Sequence, residues 1–307
     1  MSAPRAVVLV NPAARHAERA EDPALLDALR RRWHVDVVRP TSAAETTRLA
    51  AAAAAEGLDA VIAAGGDGTA AAVARGLAGT ATALGILPLG TANDLARVLG
   101  LRRAPARAAA RLADARTRSM DLVAMNGTTF CTVGGLGIVS DSALAAARLK
   151  SGTGRLARVA RALGGGIYRA TALGELATRR PLRTRVEIEV TSPDGSVGRL
   201  AVDSPGLFVA NQRMCGGGLS LPRVGPDDDG VFELLVIQRV SRARLVDAFT
   251  RLTLKLPIPD AVLRVIPGVA ARIHCEREET FLGDGDALGT GCSFALRALP
   301  RTLRVLA

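Results

Sequence analysis

The sequence predicts two domains of different class, an α/β domain followed by an all-β domain, on three observations. At 307 residues the chain exceeds the usual size of a single core. In its first third, short apolar or β-branched runs alternate with alanine-rich helical stretches, the pattern of βαβ units and a parallel sheet. From Asp121 onward, strands follow one another with few intervening helices, the pattern of an antiparallel sandwich.

Taken in order, Ala6–Val10 reads as the first strand, Pro23–Arg32 as a helix and Val35–Arg39 as a strand. A helix over Ala43–Glu56 contains the run Ala50–Ala55, which is strong helix-former sequence. Strand Ala60–Ala64, a helix from Thr69, strand Leu84–Leu87 and a helix from Ala92 complete the alternation. Ligands of such a sheet belong at the carboxyl ends of its strands. Further strands are expected at Asp121–Met125, Thr128–Val133, Arg185–Thr191, Leu200–Val202, Leu207–Ala210 and Val231–Val240. Later ones fall at Val262–Ile266, Ala271–Cys275, Thr280–Leu282 and Ser293–Ala298, and the turn Ser192-Pro193-Asp194-Gly195 punctuates the series. Helices interrupt it at Asp141–Lys150, Arg155–Glu175 and Arg242–Leu254.

Composition narrows the function. With 49% hydrophobic residues the chain can bury substantial cores, but aromatics make up only 3%. Base-stacking platforms are therefore not expected, and nucleic acid is not the expected partner. The net charge of +11 is carried mainly by arginine and favours phosphate-bearing partners. Ten Lys or Arg against the single acid Glu175 lie between Arg148 and Arg185, which reads either as a membrane-facing surface or as a solvated helix face. The four cysteines are scattered, without metal-ligand or disulfide spacing, so reduced thiols are expected. His16, His34 and His274 show no metal spacing. No signal pattern or membrane-length apolar run is present, and the expected location is cytoplasmic, at most peripheral at the inner face of a membrane.

Two loops carry the chemistry. Gly65-Gly66-Asp67-Gly68-Thr69 follows a strand and opens a helix. Its glycines let a phosphate approach the backbone, and Thr69 can cap the helix while N–H groups face the anion. Asp67 would repel a bare phosphate, so its functional role is to hold Mg²⁺ or orient a hydroxyl. The same residues also read as a plain strand-to-helix turn, and Gly66–Ala71 matches the dinucleotide pattern G-x-G-x-x-A, although here it follows the third strand. No Walker A sequence occurs. About twenty residues on, Pro88-Leu89-Gly90-Thr91-Ala92-Asn93-Asp94-Leu95-Ala96-Arg97 supplies small and polar residues after another strand.

With Val10-Asn11-Pro12, these segments resemble the diacylglycerol kinase catalytic domain in its bacterial lipid kinase form, a domain shared with sphingosine and ceramide kinases and related more distantly to NAD kinases. The resemblance extends to Asn211 with Gly216-Gly217-Gly218, to Pro226–Val231, and to Gly283-Asp284-Gly285-Asp286 in the place of the family's Asp-Gly-Glu motif. It implies a three-layer α/β nucleotide domain over residues 1–122, a β-sandwich lipid-substrate domain over 123–292, and a return of 293–307 to the first domain. ATP and Mg²⁺ would bind between the domains, with a lipid substrate at the membrane surface. Nucleotide contacts carried over by position are Asn11, Thr41, Gly65, Gly66, Asp67, Gly68, Thr69, Gly90, Thr91 and Asn93. Asp67 and Asp94 fall near metal and phosphates, and a structural Mg²⁺ is implied at Asp229 with the carbonyls of Pro226 and Val231.

Asp286 takes the place of the family's catalytic glutamate, one methylene shorter, as general base. The loop Asn11-Pro12-Ala13-Ala14 also lacks the glycine usual there. The implied activity is ATP-dependent phosphorylation of a lipid hydroxyl such as that of diacylglycerol. The alternatives are an NAD kinase-like enzyme acting on a soluble nucleotide and a non-catalytic nucleotide- or lipid-binding regulator. A homodimer is compatible with the sequence, which is silent on oligomeric state.

Overall fold

The computed structural model describes residues 3–14, 16–101, 104–163, 166–178 and 184–307. They form two compact units, Met1–Leu122 with Arg301–Ala307, and Val123–Pro300.

The first unit is built on four parallel strands, β1 (Arg5–Val10), β2 (His34–Val38), β3 (Ala60–Gly65) and β4 (Ala83–Pro88), in the order β2-β1-β3-β4. Every residue of β3 and β4 is buried, as expected for inner parallel strands covered on both faces. Helices α1 (Pro23–Arg30), α2 (Ala43–Ala55), α3 (Asp67–Leu77), the short α4 (Asp94–Val98) and α5 (Pro105–Asp114) connect and cover them. Helix α1 packs on α5 and α2 on α3.

Local sequence explains the helix starts. Asp22 caps α1 ahead of Pro23, and Ser42 caps α2 by accepting from Glu45 N at 3.1 Å. Gly76 lets α3 approach α2, since a Cβ there would lie 2.8 Å from the Ala50 methyl. Helix α5 has no counterpart among the expected elements. Its buried face is mainly alanine (Ala108, Ala109, Ala113, with Leu112), a faint stripe in an alanine-rich chain.

Strand β5 (Thr117–Met125) leads into the second unit, whose ladders are antiparallel. Its strands are β6 (Thr128–Phe130), β7 (Val133–Gly137), β8 (Thr184–Thr191), β9 (Val197–Ser204), β10 (Gly206–Ala210), the short β11 (Met214–Cys215) and β12 (Leu219–Ser220), β13 (Phe232–Ile237), β14 (Leu263–Gly268), β15 (Ala270–Gly283) and β16 (Asp286–Leu306). They make a β-sandwich around Phe130, Phe232, Phe281 and Phe294, where the Phe281 and Phe294 rings lie 5.6 Å apart. The segments expected as separate strands at 271–275 and 280–282 are one strand, β15, with a register shift between His274 and Glu279. Strand β16 likewise runs far past the expected Ser293–Ala298, and its end, Arg304 and Val305, pairs in parallel with β4 of the first unit.

The helices of the second unit are α6 (Ile138–Ser151), α7 (Arg155–Leu163), α8 (Gly166–Thr178) and α9 (Arg242–Thr253). Ala146, Ala160 and Ile167 form a small core among the first three. Arg148, Arg155, Arg158 and Arg169 are exposed there, as are Leu149, Val159, Leu163 and Leu173. Arg179, Arg180 and Arg183 of the basic segment lie outside the described residues, as does the Arg161 side chain. No helix among the described residues is long and apolar enough to cross a membrane.

Candidate active site

In the first unit the expected nucleotide residues sit at the carboxyl ends of the parallel strands, and backbone bonds join the two motif loops directly. Leu89 N and Gly90 N both donate to Gly65 O, at 2.9 and 3.0 Å. The loops touch so closely that a Cβ on Gly66 would lie 3.3 Å from Gly90 Cα, so a side chain at Gly90 would be driven into Gly66. Gly66 is the N-cap of α3, and Gly68 faces open space. A helix start lined by glycine is what an anion needs to reach N–H groups.

Polar side chains tie these loops together. Asn11 Nδ2 donates to Thr69 Oγ1 at 3.1 Å, while Asn11 Oδ1 accepts from Ala13 N at 2.9 Å, which tightens the loop that lacks the usual glycine. Asn93 adopts the left-handed conformation at φ +53° and donates through Nδ2 to Gly90 O at 2.9 Å. Its Oδ1 is buried without a hydrogen-bond partner. Thr91 follows Gly90 and is half-buried. Thr41, in contrast, is exposed and bonds to Glu45 through both its N–H (2.7 Å) and its hydroxyl (2.6 Å), reinforcing the start of α2.

The acids are placed to interact. Asp67 Oδ1 accepts from Leu95 N at 3.2 Å, which locks the first loop to the start of α4. Burial pushes the Asp67 carboxyl up to about 6, and the Asp94 carboxylate beside it pushes the same way, against the pull of the N–H groups of Leu95, Asp94 and Asn93. Asp94 is itself only 6% exposed. A carboxyl raised by burial and by a neighbouring carboxylate favours a cation.

The second unit carries the other acids. Asp284 and Gly285, at φ +56° and +88°, are the two central residues of the β15–β16 hairpin, closed by the Gly283–Asp286 pair. Positive φ at both positions defines a type I′ turn, for which Asp-Gly is a preferred sequence. Asp286 therefore begins β16, exposed. Asp284 accepts from Thr132 N at 2.8 Å, Thr132 Oγ1 at 2.6 Å and Cys131 N at 3.1 Å.

Around the implied structural cation, Asp229 is exposed and its Oδ1 accepts from Val231 N at 3.0 Å; Pro226 is exposed and Val231 half-buried. Glu233 is a member of this group that the sequence reading missed. A Cβ on Gly225 would lie 3.0 Å from Asp229 Oδ2 and 3.2 Å from Glu233 Oε1, so the two carboxylates converge there. Burial pushes Glu233 up to about 7, opposed by the Gly225 N–H and reinforced by the charge of Asp229. The available signal was an acid inside the apolar run Phe232–Ile237, where a charge is costly unless paired. No cluster of three His, Cys, Asp or Glu occurs among the described residues, so a cation here would complete its shell with carbonyl and water oxygens.

Both parts of the sequence match known families. Residues 5–125 match the diacylglycerol kinase catalytic domain, and residues 146–307 match the YegS C-terminal NAD kinase beta sandwich-like domain. A diacylglycerol kinase of Mycobacterium tuberculosis is 32% identical over 80% of this chain and 77% of its own length. A probable lipid kinase YegS of Salmonella newport is 30% identical over 72% of this chain and 67% of its own. A putative diacylglycerol kinase from Bacillus anthracis has the same fold, with a TM-score of 0.78 over 98% of this chain and 94% of that one at 22% identity. A domain match over more than half the chain, together with relatives of one kind aligned over 80% and 72% of it, leads to one conclusion: the chain belongs to the diacylglycerol kinase family of lipid kinases.

Proposed function

We propose that this kinase transfers the γ-phosphoryl group of ATP to the hydroxyl of a membrane lipid such as diacylglycerol. The observation that carries the reading is the hydrogen-bonded union of the Gly65–Thr69 and Gly90–Asp94 loops, with Asp67 and Asp94 set side by side in it. Gly66, Gly68 and Gly90 leave room for phosphates against the backbone, and Asn11, Thr69 and Asn93 hold the loops that receive them. Thr41 belongs to the nucleotide set by position only, since its polar groups are taken up by Glu45.

Mg²⁺ bound with the nucleotide would neutralise phosphate charge. The raised Asp67 beside Asp94 fits such a cation, because its charge relieves their repulsion. Asp229, Glu233 and the carbonyls of Pro226 and Val231 offer the hard oxygens of a structural Mg²⁺ site. In the transfer, Asp286 accepts the proton of the lipid hydroxyl as that oxygen bonds to the γ-phosphorus. The bond from phosphorus to the β,γ-bridging oxygen breaks, and ADP leaves with the electron pair. Exposed arginines beside exposed Leu149, Val159, Leu163 and Leu173 support peripheral contact with an anionic membrane.

The test is incubation of the full chain with radiolabelled ATP, Mg²⁺ and vesicles containing diacylglycerol, beside a parallel reaction with NAD. A labelled phospholipid is expected. Labelled NADP would replace the reading with a soluble-nucleotide kinase, and ATP binding without labelled product would replace it with a regulator.

A further inference from the structure

We infer that Thr132 is a positioning residue for phosphoryl transfer, holding through Asp284 the turn from which Asp286 acts, an inference that rests on Asp286 as general base. The β15–β16 turn has only two residues, and its tip is open, since a Cβ on Gly285 would meet nothing within 4 Å. Its conformation also asks Asp284, a residue with a Cβ, to adopt φ +56°. Something outside the turn must hold it.

The link between β6 and β7 does so. Thr132 N and Thr132 Oγ1 converge on Asp284 Oδ1 at 2.8 and 2.6 Å, and Cys131 N reaches Oδ2 at 3.1 Å. Asp284 N returns a bond to Val133 O at 3.1 Å. The link is in turn fixed from behind by Asn211, which is 2% exposed: its N–H donates to Thr132 O and its Nδ2 to Cys131 O, both at 2.9 Å. The two N–H groups of the 131–132 segment thus serve Asp284, and its two carbonyls serve Asn211.

Among these contacts the Thr132 hydroxyl makes the shortest bond, and a substitution can remove it without touching the main chain. Asp286 lies two residues beyond Asp284, so rotation of the turn moves the base directly. A displacement near 1 Å is enough to slow a positioned reaction by about 100-fold.

The decisive comparison is of Thr132→Val and Thr132→Ser in the full chain, assayed with ATP, Mg²⁺ and diacylglycerol-containing phosphatidylglycerol vesicles. Valine keeps the shape and removes the donor. The expected result is a kcat lower by about 10- to 100-fold, with the KM for ATP within about twofold of wild type and the melting temperature within about 4 °C. Serine is expected to recover kcat to within about threefold. On an Asp286→Asn background, Thr132→Val should cause no further loss. Wild-type kcat in Thr132→Val, or a loss that serine does not recover, overturns the inference. Full activity in Asp286→Asn instead removes the general-base reading and this role with it, whereas an inactive Asp286→Asn beside a fully active Thr132→Val removes the positioning role alone.

Discussion

Asp67 and Asp284 occupy similar local positions and meet opposite surroundings. Each follows a strand that ends in glycine, and each accepts N–H groups from a distant segment, Asp67 from the start of α4 and Asp284 from the link between β6 and β7. Asp284 receives bonds as short as 2.6 and 2.8 Å. Asp67 has one at 3.2 Å, sits closely packed and faces Asp94, so its carboxyl rises to about 6. The difference separates two uses of one residue type. A carboxylate saturated with donors holds structure, and one set against another carboxylate suits the proposed cation.

The comparison can be broken most decisively by substituting both with asparagine. On the proposed role of Asp67 at metal and phosphate, Asp67→Asn is expected to lower kcat by roughly 10³-fold or more, because it removes charge there. In EDTA the same variant should be more stable at pH 8, by on the order of 1 to 3 kcal/mol. The sign follows from the raised pKa: the native state holds the Asp67 proton more tightly than the unfolded chain, so the folded carboxyl is favoured at low pH and penalised as pH rises through about 6. The gain should therefore vanish below about pH 4, in melts followed by circular dichroism. Asp284→Asn should behave in the opposite way and lose about 2 to 4 kcal/mol at neutral pH, since its amide would turn a donor toward donors.

A smaller catalytic effect sharpens the assignment of roles within the turn. Asp286→Asn should lower kcat by roughly 100-fold with little change in melting temperature. Asp286→Glu, which restores the missing methylene, should keep activity within about tenfold of wild type, read from the same assay. The weakest effect belongs to the face proposed to meet the membrane. Arg158→Glu should weaken sedimentation with phosphatidylglycerol vesicles by about fivefold or more, and the difference should fade in high salt while kcat on detergent-dispersed lipid is unchanged.

Much of the architecture was legible because it rests on residue types with few substitutes. Gly66 and Gly90 mark a place where two loops touch, and a side chain at Gly90 would be driven into the Gly66 backbone. The alternation around β1 to β4 announced a parallel sheet because inner strands must be apolar throughout. Less could be read where solvent reaches both faces of a strand. The charged run Glu276-Arg277-Glu278-Glu279 lies inside β15 but carries no periodic signal, so one long strand reads as two short ones. Glu233 was hidden for the opposite reason, since an acid within a strand ordinarily reads as solvent-facing. The partners of Asp284 were out of reach altogether, because Thr132 lies 152 residues away in sequence and only folding brings the two together.

The last strand has a consequence for how the protein is made. Strand β16 begins at the turn of the second unit, and its end completes the sheet of the first, where Arg304 bonds to Ala81 O across 223 residues of sequence. On a ribosome, the first unit emerges early but must wait for nearly the whole chain before its β4 edge is covered. During that interval an apolar edge stands unpaired, a template for association with another nascent chain. A pairing of such long range is also slow to form. The order of synthesis therefore makes the α/β half the first to appear and among the last to be finished.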